Sequence, residues 1–98
     1  MPKVRTAAKK DDNHTEIVSV FKRLGWSVLD ISQIPNTADI VIANGTRYCV
    51  VEIKDGSKSP SKRKLTYGER QFVDEWRGMW AMVESVDDAI DLSRRLRD

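Results

Sequence analysis

The sequence has one cysteine, no long hydrophobic run and almost no net charge, and each shortage excludes something. A lone thiol, Cys49, rules out an internal disulfide framework and any zinc site built from several thiolates, and it points to a reducing cytosol. Apolar stretches of only a handful of residues leave no membrane span, and the N-terminus has no apolar core of a signal peptide. No internal repeat is visible. With 98 residues there is room for one hydrophobic core, burying roughly 60–70% of the unfolded surface. What remains is ordinary for a globular chain: 40% hydrophobic and 33% charged residues.

The net charge of +2 comes from 17 basic and 15 acidic residues that are unevenly placed. Lys3, Arg5, Lys9 and Lys10 load the N-terminus. Lys58, Lys62, Arg63 and Lys64 follow Lys54 in a polar stretch, and Arg94, Arg95 and Arg97 load the C-terminus. Such runs are usually solvated surface, but three of them on one small domain make a polyanion partner worth testing.

Residues 1–10 have no apolar periodicity and read as a basic flexible tail ahead of a single domain, 11–98. Ile17, Val18, Val20, Phe21 and Leu24 predict a helix over 13–24 with one buried face, and Gly25 stops it. Strands are predicted over 26–31 and 38–43, with a turn at Pro35-Asn36-Thr37 between them. Asn44-Gly45 signals a type I′ hairpin leading into a strand over 47–54. Residues 55–64 form a polar loop. Thr66 and Glu69 have the spacing of a capping box for a helix over 67–77. A fourth strand follows over 79–83, and Ser85 with Asp88 opens a last helix. The order α-β-β-β-α-β-α gives an α/β fold, α+β by stricter usage. Its mixed four-stranded sheet has a parallel, right-handed crossover between the third and fourth strands.

If Asn44-Gly45 is the whole loop, Ala43 faces Thr46 and Asp39 faces Val50, with Glu52 the diagonal neighbour of Asp39. The period of two puts Asp39, Glu52 and Lys54 on one face and Ile40, Ile42, Cys49, Val51 and Ile53 on the other, core face. Diagonal neighbours are roughly 7–8 Å apart at Cα, close enough for two carboxylates to share a cation. Two readings are open from the residues themselves. One is an ion pair of Lys54 with Glu52 or Asp39; the other is a divalent cation held by Asp39 and Glu52 with Lys54 beside it. A loop one residue longer would send Glu52 to the opposite face.

Glu16 borders the predicted buried stripe, and Asn13-x-x-Glu16 also fits a capping box. His14, near the helix start, reads as a surface residue. Trp76, Trp80, Met79 and Met82 suit either core or dimer contact, and their place on a helix and a strand favours core.

With Asp39 on one strand and Glu52-Ile53-Lys54 on the next, the chain resembles the PD-(D/E)xK nuclease superfamily, and within it the small stand-alone, phage-like VRR-NUC proteins. Thr37-Ala38-Asp39-Ile40, Val51-Glu52-Ile53-Lys54-Asp55-Gly56 and Leu65-Thr66-x-x-Glu69-x-Gln71 carry the likeness, which covers about residues 14–84. Ala38 stands where the superfamily's name has proline. The resemblance implies an αβββαβ restriction-endonuclease-like core with an extra C-terminal helix. It implies Mg²⁺, or Mn²⁺ as substitute, on Asp39, Glu52 and the carbonyl of Ile53. Glu16 would be an accessory carboxylate, Lys54 would orient or activate the attacking water, and Gln71 would support the site. The activity implied is Mg²⁺-dependent, structure-selective endonuclease cleavage of DNA, at Holliday or other branched junctions, by a homodimer in the cytoplasm (the host's, for a phage protein). Lys58, Lys62, Arg63 and Lys64 would then contact phosphates. Two other classes fit the same residues: a non-catalytic nucleic-acid-binding module, and a restriction-type nuclease with a defined target sequence.

Overall fold

The structure, a computed structural model, describes residues 10–98. The expected tail lies outside them except for Lys10, whose Nζ pairs with Asp30 Oδ2 at 2.9 Å.

Helix α1 spans His14–Arg23 and packs Ile17, Val20 and Phe21 inward. It ends on a Schellman motif: Gly25 takes φ 95°, Trp26 N–H donates to the Phe21 carbonyl, and Gly25 N–H donates to that of Lys22. Strands β1 (Ser27–Asp30), β2 (Ile40–Asn44), β3 (Arg47–Ile53) and β4 (Trp80–Val83) form one sheet in that order. The first two pairings are antiparallel and β3–β4 is parallel. Helix α2 (Tyr67–Glu75) lies between β3 and β4 in sequence, and α3 (Val86–Arg97) follows β4. This is a mixed α/β fold with a four-stranded mixed sheet and three helices.

The core lies on one face of the sheet. Ile40, Ile42, Cys49, Val51, Ile53 and Val83 meet Ile17, Phe21, Ala89 and Leu92 from α1 and α3. Burying a side chain such as Phe21 or Ile17 in this way contributes about 1.5–3 kcal/mol. Trp26 closes one end, its indole N–H donating to Ser93 Oγ at 2.8 Å.

The expected register is corrected by two residues. Asn44 pairs with Arg47 and Ala43 with Tyr48, so the loop is Gly45-Thr46. Of its two residues only Gly45 has positive φ, 63°, so the type I′ turn expected at Asn44-Gly45 does not form. Asn44 stays in the strand, where its amide donates to the Gly25 carbonyl at 3.0 Å. A slip of two preserves which face each side chain takes. The core set is therefore the expected one, and Asp39, one residue beyond the last paired position, lies beside Glu52.

Other differences concern the helix ends and the second sheet face. Asn13 precedes α1 but makes no side-chain cap, so the expected box with Glu16 is absent. Its amide donates instead to the carbonyls of Lys54 (3.1 Å) and Glu84 (3.3 Å), clasping α1 to the ends of β3 and β4. His14 is buried, 4% exposed, because the stripe of Ile17 and Phe21 extends back one turn to include it. A 3₁₀ turn at Pro60–Lys62 interrupts the polar loop, with proline opening it. Trp80 and Met82 are half-buried, whereas Trp76 and Met79 are exposed and lie outside the core.

Candidate active site

The site is built where the second face of the sheet meets the carboxyl end of β3. Asp39 sits one residue before β2, held by its own backbone. Its N–H donates to the Val51 carbonyl at 3.1 Å, and its carbonyl accepts from Ile31 N–H at 2.9 Å. Its Oδ2 accepts a 2.7 Å hydrogen bond from the Ile53 N–H, which points the carboxylate across β3. Glu52 emerges beside it, only 3% exposed. Lys54 follows on the same face and is also buried.

Charge in this pocket is tightly packed. Burial, followed by the neighbouring negative charges of Asp39 and Glu69, raises the Glu52 carboxyl far above the ordinary carboxylate range; Lys54 opposes this only in part. Burial works to lower the Lys54 ammonium, but the hydrogen bond it donates to Glu69 and the charge of Glu52 outweigh it, so Lys54 holds its proton more firmly than a free lysine. Its Nζ lies 3.4 Å from Glu52 Oε2 and 3.1 Å from Glu69 Oε1.

Two of the neighbours were not singled out as site residues from the sequence. Glu69 forms the expected capping box with Thr66, yet the same Oε1 that accepts the Thr66 N–H also accepts from Lys54. Asp11 is the other. Burial raises its carboxyl, Lys54 opposes the shift, and Asp39 adds to it, which places Asp11 among these charges. The Asn13 clasp explains why: it lays the start of α1 along Lys54. The spacing of Glu69 from Thr66 was the available signal for the first, whereas residues before a helix carry no periodicity that marks the second.

The remaining expected site residues are not brought to this group. Glu16 is exposed and lines a cleft of about 480 Å³ with Asp55, Glu84 and Asp88, a set that does not include Asp39 or Glu52. Its placement on the edge of the buried stripe is corrected accordingly. Gln71 is exposed, and its amide donates to the Tyr67 hydroxyl at 3.1 Å. Two residues along a helix turn the side chain by about 200°, so the helix that brings Glu69 to Lys54 turns Gln71 away. In the basic loop, Arg63 donates to the Lys58 carbonyl (2.8 Å) and to Glu84 Oε1 (3.3 Å). Lys58 Nζ lies 3.8 Å from Asp12 Oδ2, while Lys62 and Lys64 are exposed.

The donor set fits a hard divalent cation. Burial and the neighbouring carboxylates disfavour negative charge on Glu52, and a cation beside it would relieve that cost. Among the described residues no group of three or more His, Cys, Asp or Glu is gathered for a metal. A pair of carboxylates nevertheless matches Mg²⁺, which retains several waters and takes one or two protein carboxylates plus phosphate oxygens. Among the described residues no helix is long and apolar enough to cross a membrane. Comparison with protein-family models, curated proteins and solved structures finds no match to this chain.

Proposed function

We propose that this protein is a Mg²⁺-dependent endodeoxyribonuclease of the VRR-NUC type within the PD-(D/E)xK superfamily, hydrolysing phosphodiester bonds in branched DNA such as Holliday junctions. One observation carries the reading: the Asp39 carboxylate, held by Ile53 N–H at 2.7 Å, lies beside the buried Glu52, with the Lys54 ammonium 3.4 Å from Glu52.

Asp39, Glu52 and the Ile53 carbonyl would hold the cation. When bound, it would lower the pKa of a coordinated water and neutralise charge on the phosphate. Lys54, as an ammonium, has no lone pair to accept a proton; its part is to orient the attacking water and to oppose the negative charge that develops on the phosphoryl oxygens. Ile53 N–H fixes the Asp39 carboxylate, so the donor set is oriented before substrate arrives. Lys62 and Lys64, exposed in the loop that follows β3, would meet DNA phosphates and give salt-dependent affinity with little sequence information. Homodimerisation belongs to the same proposal, with exposed Tyr48, Trp76 and Met79 as the apolar residues available to it.

A cleavage panel of four-way junction, flap and linear duplex with Mg²⁺ or Mn²⁺ tests this. The junction is cut by the wild-type chain, and Lys54→Ala and Glu52→Ala each lower the rate about a hundredfold or more. DNA binding that persists in chelator, with no cleavage under either metal, would overturn the nuclease reading in favour of a binding module. A single recurrent target sequence among the cut ends would replace shape selectivity with sequence selectivity.

A further inference from the structure

Lys54 has two carboxylate partners, and they are unlike each other. Glu52 belongs to the sheet, is almost wholly buried and lies beside Asp39. Glu69 belongs to α2, is closer to the solvent, and is held by the helix cap: its Oε1 accepts the Thr66 N–H at 2.9 Å while Thr66 Oγ1 accepts the Glu69 N–H at 3.2 Å. The ammonium lies between them, at 3.1 Å from Glu69 and 3.4 Å from Glu52.

A divalent cation on Asp39 and Glu52 would meet this ammonium on a shared carboxylate. Like charges that close repel strongly where water is excluded. The lysine must yield Glu52 to the cation, and a buried ammonium left without a counter-ion is costly. Glu69 removes that difficulty. Its carboxylate is already fixed by Thr66, so little side-chain freedom is lost in receiving the whole of the lysine's charge.

We propose that Glu69 is a positioning residue, the counter-ion to which Lys54 transfers when a divalent cation takes Glu52. The proposal rests on the reading of Asp39 and Glu52 as the cation site. On it α2 is part of that site, and cation affinity depends on a carboxylate that does not touch the cation.

Glutamine also serves at the third position of a capping box, so Glu69→Gln retains the cap and removes only the charge. Thr66→Ala does the reverse. The measurement is calorimetric titration of the full chain with Mn²⁺, beside thermal melts of the metal-free protein. Glu69→Gln weakens Mn²⁺ binding about tenfold, within the ordinary range of coupling between two sites, and leaves the melting temperature close to wild type. Thr66→Ala lowers the melting temperature and leaves affinity close to wild type. In a Lys54→Met background there is no ammonium to relocate, and Glu69→Gln no longer changes affinity. Equal or tighter Mn²⁺ binding by Glu69→Gln, or an undiminished effect in the Lys54→Met background, would overturn the counter-ion role while leaving the nuclease reading in place. A wild-type chain that binds no divalent cation would overturn both.

Discussion

At the scale of single residues, charge is settled by very local geometry. Asp30 shows this outside the site. Its carboxylate accepts from Ser32 N–H (2.8 Å), Ser32 Oγ (2.6 Å) and Lys10 Nζ (2.9 Å), and the His14 ring lies 3.5 Å away. Burial works to raise this carboxyl, and the Ser32 and Lys10 hydrogen bonds overcome it, so it titrates well below the usual range. A carboxyl depressed in the folded state adds stability above its unfolded pKa, about 3.9, and loses that contribution as pH falls through the folded value. Because the side chain is 44% exposed, solvent screening keeps the gain small. Asp30→Asn is accordingly less stable than wild type at pH 7, and the gap between their melting temperatures narrows as pH falls below about 4. A gap of constant size across that range would show that the charge of Asp30 contributes nothing. His14, by contrast, is buried with neither ring nitrogen hydrogen-bonded. Its spacing from Ile17 and Phe21 was the available signal for its burial, against a residue type only intermediate in its preference for the interior.

Among the elements, α2 is the least anchored: no residue of it is buried. Its first turn is placed by Gly68, where any Cβ would fall on the side chain of Asn36, itself at φ 56° in the turn before β2. Glycine at an exposed helix position ordinarily costs about 1 kcal/mol relative to alanine. Here the sign reverses. Gly68→Ala pushes α2 off the Asn36 turn and lowers the melting temperature, and adding Asn36→Gly, which suits a positive φ, restores it. Chemical or thermal denaturation of the two single variants and the double variant checks this, and a stabilised Gly68→Ala would sink the idea. The element order was legible because hydrophobic period, Gly25, and the Thr66 and Ser85 caps all act within a few residues. The hairpin register was not, since Asn44 gains a bond to Gly25 that turn propensity knows nothing of. Asn13 likewise gave up its local cap for two distant carbonyls. Of the site, Asp39, Glu52 and Lys54 were legible through the period of two, whereas Glu69 and Asp11 arrive by packing.

Across the whole molecule, one sheet face carries the apolar core and the other the charged pocket, so the core can be tested without touching the site. Cys49 is fully buried on the core face, and burial pushes its thiol up to about 11, with Arg95 opposing. A thiol-specific reagent at pH 8 therefore labels the native protein only through opening of the fold, and the rate rises steeply with added denaturant. Labelling of the native chain as fast as the unfolded one would contradict this packing. The near-zero net charge is likewise a poor guide to the surface: Lys54 is turned inward to Glu52 and Glu69, while Lys62 and Lys64 face solvent. The Asn13 clasp has a consequence in time. Its two bonds join positions 41 and 71 residues apart, from the beginning of α1 to the strand that closes the sheet. Contacts of such span form late, and a chain emerging from the ribosome presents its N-terminal residues first. The carboxylates therefore remain scattered along a nascent chain until synthesis has passed Glu84, the last residue that the clasp holds.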